Sequence, residues 1–282
     1  MNGGLVRLRE GFDSLSPAER KVAAFILENP KGFLELSVAE LAERSGASQA
    51  AIVRMCKSIG LKGYPELKLR VSADLQEAGS ARVEYSDIQP MDSLETIIRK
   101  VSMTNIQSIK DTMKILDVDE VEAAVQLLDK AARIFFFGVG ASNLIAMDAQ
   151  QKLLRINKVC FAFADPHVQL AASSMVTPQD VVVCISYSGE TYEMIRAAEL
   201  AKSNGCKTIS ITKYGENTLS RTADIALHTA STETEIRSGA MSSRISQLNV
   251  IDILYLGVAS RNYEQSVVNL ERSRQAVKTR NK

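Results

Sequence analysis

Two uninterrupted apolar runs, RIFFFGVG (133–140) and DVVVCISYSG (180–189), constrain this chain more than any other feature. A strand with one wet face alternates apolar and polar residues, whereas a strand buried on both faces does not. The two runs therefore predict central strands of a sheet covered by helices on each side. VCFAF (159–163), KTISIT (207–212) and DIALHTA (224–230) are shorter strand candidates. Helical patterns at Asn143–Asn157, Tyr192–Asn204 and Arg244–Asn262 separate most of them. Strand and helix in alternation predict an α/β C-terminal domain with a five-stranded parallel sheet.

The first ~75 residues carry a different period and read as all-α. Ser16-Pro17 opens a helix whose inner face is Ala18, Val22, Phe25 and Ile26, and Asn29-Pro30 stops it. Ser37 and Glu40 have the spacing of a capping box, with Val38, Leu41 and Ala42 turned inward. Ser45-Gly46-Ala47 is a tight turn, Ser48 can cap the next helix, and Gly60 ends it. Pro65 begins a fourth helix. Residues 77–92 lose the pattern and read as a linker. Ser93–Leu116 regains it through Ile106, Ile109, Met113 and Leu116. Asp119 is then expected to cap a helix with Val121, Val125 and Leu128 inside.

Composition narrows the functional classes. The chain has 282 residues, enough for two modest domains, and 45% of them are hydrophobic, enough for a sizeable core. Net charge is +1, so the molecule is no polycation. Yet between Arg44 and Arg70 six basic residues face a single acid, Glu66. Such local excess marks a nucleic-acid face, although a solvated helical face carries the same signature. The four cysteines are scattered in apolar runs without a CxxC pair, which suits buried reduced thiols and no metal site. No window reaches 18 apolar residues and the N-terminus has no leader pattern, so a cytoplasmic location is expected.

Helix, short turn and second helix between Val38 and Gly60 have the spacing of a helix-turn-helix. On the second helix Ile52, Met55, Cys56 and Ile59 recur as a core face. Opposite them lie Gln49, Ala50, Val53, Arg54 and Lys57, with Ser48 at the helix entry. Small residues let a helix enter a major groove, and Gln49 and Arg54 offer paired donors to base edges. Lys57, Lys62 and Tyr64 suit phosphates, which set register rather than sequence. Helix-turn-helix shapes also occur in proteins that never touch DNA.

In open α/β sheets ligands sit beyond the carboxyl ends of the strands. Two such ends here are rich in small polar groups: Gly138-Val-Gly140-Ala-Ser142, and Ser186-Tyr-Ser188-Gly189-Glu-Thr191. Each precedes a helix, whose N-terminal N–H groups attract an anion, and glycine lets backbone approach it closely. The hydroxyls of Ser142, Ser186, Ser188 and Thr191 can donate to phosphate or sugar oxygens, or they can simply cap helices. Gly138-x-Gly140 with Asp165 imitates a dinucleotide fingerprint, but Asn143 stands where the third glycine belongs and the second hydroxyl cluster is left unexplained. Glu235 or His167 could act as a general base or merely hydrogen-bond a ligand hydroxyl. Arg237 and Arg244 could meet an anion or lie on the surface. No catalytic residue is assigned.

These residues resemble the RpiR/MurR group of bacterial transcription regulators over nearly the whole chain. The resemblance rests on SPAERKVAAFILENP (16–30), SVAELAERSGASQAAIVRMCKSIGLKGYPELK (37–68), GVGAS (138–142), SYSGET (186–191) and RSGAMSSRI (237–245). It implies a helix-turn-helix domain over 1–77, a linker with connecting helices over 78–125, a flavodoxin-like three-layer sugar-isomerase (SIS) domain over 126–265, and a tail over 266–282. It also implies a phosphosugar effector at Gly140, Ser142, Ser186, Ser188, Gly189, Thr191 and Glu235, with no cofactor. N-acetylmuramic acid 6-phosphate leads the ligands implied. Homodimers or homotetramers, an inverted-repeat operator and no catalytic activity follow from the same likeness. Ala51 and Met55 depart from the S-x-x-T-[IV]-x-R-F-C pattern of many members, which bears on operator preference. The alternative is a sugar-phosphate isomerase or lyase with a helical assembly module.

Overall fold

The computed structural model describes residues 3–77, 91–231 and 240–278. Most of the expected linker lies outside them, as do Glu235 and Arg237. The chain forms two compact units.

The first unit runs through Ile115 and takes in Tyr214–Glu216 and residues 230–231. It consists of α1 (Gly4–Glu10), α2 (Pro17–Glu28), α3 (Pro30–Phe33), α4 (Val38–Ser45), α5 (Gln49–Ser58), α6 (Tyr64–Glu77) and α7 (Leu94–Ile115). Ser37 and Glu40 make the expected reciprocal cap: the Glu40 N–H donates to Ser37 Oγ at 3.2 Å and the Ser37 N–H to Glu40 Oε2 at 2.7 Å. Gly46 ends α4 in the left-handed region (φ 65°). The α2, α4 and α5 faces close on one core of Val22, Ile26, Leu41, Ile52, Met55, Cys56 and Ile59.

Helix α1 has no side-chain cap of its own, since Gly3 stands at its N-cap. It is held from a distance: Asp74 on α6 accepts from the N–H groups of Gly3 (2.6 Å) and Leu5 (2.8 Å), capping α1 in trans. At the other end of α1 burial raises Glu10 to about 6, an effect that Arg9 and the Ser231 N–H only partly offset. The folded state then takes up a proton more readily than the unfolded chain. This contribution to stability is complete below pH ~4.5 and is lost as pH rises through ~6. Glu10→Gln is expected to stabilise the unit by up to ~2 kcal/mol at pH 7.5 and hardly at all at pH 4.5. Thermal melts at the two pH values check this, and equal shifts at both would refute it.

The second unit begins at Leu116. Its elements are α8 (Val118–Lys130), β1 (Ile134–Gly138), α9 (Ala141–Leu154), β2 (Cys160–Ala162), α10 (Pro166–Ser173), β3 (Val181–Ile185), α11 (Tyr192–Ser203), β4 (Lys207–Lys213), α12 (Thr218–Thr222), β5 (Ile225–Thr229), α13 (Ser242–Arg261) and α14 (Tyr263–Lys278). The five strands are all parallel, in the order β2-β1-β3-β4-β5. Successive side chains leave a strand on opposite faces. Ile134, Phe136, Val183 and Ile209 accordingly pack with α8, α9 and α13, while Phe135, Phe137, Val182 and Cys184 pack with α10, α11 and α12. This is the three-layer α/β/α arrangement predicted from the apolar runs.

Two local expectations change. Asp117, not Asp119, caps α8, accepting from the Asp119 N–H at 2.9 Å. Residues 266–278, read as tail, are helical within α14. All four cysteines are buried and unbridged. Burial pushes the thiols of Cys56, Cys184 and Cys206 up to about 12 and that of Cys160 up to about 11. Among the described residues no helix is long and apolar enough to cross a membrane, and no cluster could hold a metal ion.

Candidate functional site

In the first unit, α5 turns Ala51, Ile52, Met55 and Cys56 into the core. Its opposite face is exposed and presents Gln49, Ala50, Val53, Arg54 and Lys57. Ser48 stands at the helix entry and its Oγ accepts from the Ala51 N–H at 3.1 Å. Ala51 is buried at 1% exposure, so its departure from the S-x-x-T pattern alters packing rather than the outer surface. Lys62 is exposed beyond the helix end. Tyr64 is differently placed. Its hydroxyl donates to the Leu36 carbonyl at 2.7 Å and its ring meets Phe33 edge-on, so its hydroxyl proton is already engaged inside the unit.

In the second unit the sheet order reverses between β1 and β3: from β1 the chain crosses first to β2 and then back to β3 on the other side. Such a reversal opens a crevice beyond the carboxyl ends of the two strands. Gly138 and Ile185 pair in register there. The GVGAS and SYSGET loops thus leave the sheet side by side, and the topology brings Gly140 and Ser142 to the same edge as Ser186, Ser188, Gly189 and Thr191.

The helix starts differ in how they are capped. Asp165 caps α10, accepting from the N–H groups of His167 and Val168, and Asn217 caps α12, accepting from that of Ser220. Asp165 is therefore occupied as a helix cap. At the reversal, neither Gly140 before α9 nor Thr191 before α11 makes a side-chain cap. Instead, Thr191 Oγ1 meets Ser186 Oγ at 2.8 Å. Ser186 Oγ also accepts from the Gly189 N–H (3.2 Å), and Ser188 Oγ from the Glu190 N–H (3.2 Å). Both helices therefore present first-turn N–H groups without a side-chain acceptor, beside a row of hydroxyls. Fixed donors of this kind suit an anion.

The glycines are set by geometry. Gly140 has φ 59° and ψ −124°, a conformation essentially confined to glycine, and a Cβ added there would meet nothing within 4 Å. A Cβ on Gly138 would lie 2.6 Å from the Ser142 carbonyl. Gln169 carries no sequence signal. Fully buried, it donates through Nε2 to the carbonyls of Gly138 (2.9 Å) and Phe163 (2.6 Å), pinning the ends of β1 and β2. No local pattern marks it, because its partners lie on other strands. His167 is exposed in the first turn of α10, and Glu235 falls outside the described residues.

Residues 2–78 match the helix-turn-helix domain of the rpiR family, and residues 127–257 match the SIS domain. The chain is 42% identical to the HTH-type transcriptional regulator YbbH of Bacillus subtilis over 98% of both chains. It is 37% identical to the HTH-type transcriptional regulator HexR of Pseudomonas aeruginosa, covering 93% of this chain and 90% of HexR. Among solved structures, the Vibrio vulnificus NanR protein complexed with ManNAc-6P aligns with TM-score 0.61 at 27% identity, over 97% of each chain. With an exposed basic helix in one unit and paired hydroxyl loops in the other, this chain belongs to the rpiR family and is a DNA-binding transcriptional regulator carrying an SIS domain.

Proposed function

We propose that this regulator senses a phosphorylated amino sugar in the crevice between the GVGAS and SYSGET loops, and that occupancy changes its affinity for an operator. The observation carrying this reading is the pair of uncapped helix starts, α9 and α11, beside the hydroxyls of Ser142, Ser186, Ser188 and Thr191 at the sheet reversal. A phosphate monoester is the anion such donors fit. NanR, which aligns over nearly the whole chain, was solved with ManNAc-6P, which supports an amino-sugar phosphate here. ManNAc-6P and N-acetylmuramic acid 6-phosphate are the first two compounds to test.

Gln49, Ala50, Val53 and Arg54 form the reading surface, with Ser48, Lys57 and Lys62 toward the phosphates. Tyr64 supports that surface through its packing. The working form is a cytoplasmic homodimer or homotetramer on an inverted repeat, without turnover of the effector. The exposed row Leu144, Met147 and Leu154 on α9 supports self-association through this unit.

A ligand that binds only the folded state raises its stability, by ~2.7 kcal/mol at a hundredfold excess over Kd. A thermal-shift screen with the two amino-sugar phosphates, their unphosphorylated forms and inorganic phosphate is expected to give a rise of several degrees with one phosphorylated sugar, a smaller rise with inorganic phosphate and none with the unphosphorylated forms. That compound must also change operator affinity in a gel-shift titration. Equal shifts with and without the phosphoryl group would sink the reading, and conversion of the compound would favour an isomerase or lyase instead.

A further inference from the structure

Glu190 is an unexpected residue in an anion cradle. It follows Ser188 and Gly189 directly, and a carboxylate beside a dianion is repelled by it. Both of its oxygens are engaged elsewhere. Oε1 accepts from the Thr218 N–H at 2.8 Å and Oε2 from the Thr218 hydroxyl at 2.7 Å. These bonds hold the carboxyl below the usual carboxylate range. Beside them the Leu219 N–H donates to the Gly189 carbonyl at 3.0 Å. Asn217 completes the join. It is buried, with Oδ1 accepting from the Ser220 N–H at 2.8 Å and Nδ2 donating to Thr212 Oγ1 at 3.1 Å. Its side chain fills the space where a Cβ on residue 189 would stand. The loop after β3 and the segment after β4 are thus joined by three hydrogen bonds and one steric fit.

We propose that Glu190 is a positioning residue, which ties the 186–191 loop to the opening of α12 and so presets the hydroxyls of Ser186, Ser188 and Thr191 for a phosphate, without touching the ligand itself. The inference rests on the phosphosugar reading of this loop. It assigns a role to the motif's acid and to Thr218, a residue 28 positions away that carries no motif of its own.

Charge and tether make opposite predictions, and two variants separate them. Glu190→Gln removes the negative charge and weakens the tie. Thr218→Val keeps the charge and removes the hydroxyl that grips it. Thr218→Ser is the conservative control. Each is made in the full chain and titrated with inorganic phosphate, with amide hydrogen exchange followed in the absence of ligand. The expected result is a roughly 3- to 10-fold weaker phosphate affinity in both Glu190→Gln and Thr218→Val. Faster exchange at the Leu219 amide accompanies it, Thr218→Ser is unchanged, and operator affinity without effector is the same in all. Tighter phosphate binding in Glu190→Gln with no change in Thr218→Val would make Glu190 an electrostatic brake and overturn the proposal, as would unaltered Leu219 exchange in both variants. If the wild type binds no phosphate, the phosphosugar reading falls; accelerated exchange in both variants would still establish the tie.

Discussion

Gly189→Ala is expected to abolish the effector response while leaving operator binding intact. The added Cβ would lie 2.0 Å from Asn217 Oδ1 and 2.2 Å from its Cγ. Asn217 cannot retreat, because both ends of its amide are held, by Ser220 and Thr212. Residue 189 also has φ 71°, which costs an alanine about 1 kcal/mol or more even in open space. The loop must therefore move, and with it the Gly189 N–H that organises Ser186. Loss of buried fit of this order costs about 2–4 kcal/mol, enough to weaken a ligand roughly 30- to 1000-fold if the distortion falls on its site. Gly140→Ala is the internal comparison: it carries backbone strain but meets no neighbour, so its melting temperature falls less. Thermal shift with the active sugar phosphate and a gel shift with the operator read the two properties separately. A Gly189→Ala protein that binds effector like the wild type would show that the loop tolerates what its geometry forbids.

Arg54→Ala is the counterpart on the other unit. Arg54 is exposed on the outer face of α5, while Ile52 and Met55 anchor the helix beneath it. A guanidinium bonded to a base edge contributes about 1–3 kcal/mol of discrimination. Specific operator affinity is therefore expected to fall about 5- to 150-fold with the fold intact. The salt dependence distinguishes the contact. If Arg54 reads a base, the slope of log affinity against log salt barely changes; if it neutralises a phosphate, the slope drops by ~1. Lys57→Ala is expected to show the second behaviour, weakening specific and random DNA alike. Fluorescence anisotropy across a salt series settles both, and an Arg54→Ala protein with wild-type operator affinity would remove this residue from the reading surface.

The residues legible in sequence are those whose signal is local. The five strands, helices α2, α4, α5, α9, α11 and α13, and the Ser37–Glu40 cap all follow from apolar period and capping chemistry within a few positions. Helix α1 was not legible, because its cap, Asp74, arrives from α6 across some 70 residues. Helices α10 and α12 are too short for a period, and the Asn217–Ser220 cap of α12 has no apolar run behind it to mark it as a helix start. The hydroxyl loops were visible as motifs. What holds them was not: Gln169, Asn217 and Thr218 act through contacts between strand ends, and a linear pattern carries no trace of a contact that only the sheet creates.

The deeply protonated thiols have a practical consequence. Thiolate is the species that reacts with maleimides and oxidants, and at neutral pH these four sulfurs supply almost none of it behind closed packing. A single cysteine introduced on an exposed helix should take up a fluorophore against a near-silent background. The native chain can then carry its own distance reporter, without first being stripped of its sulfur.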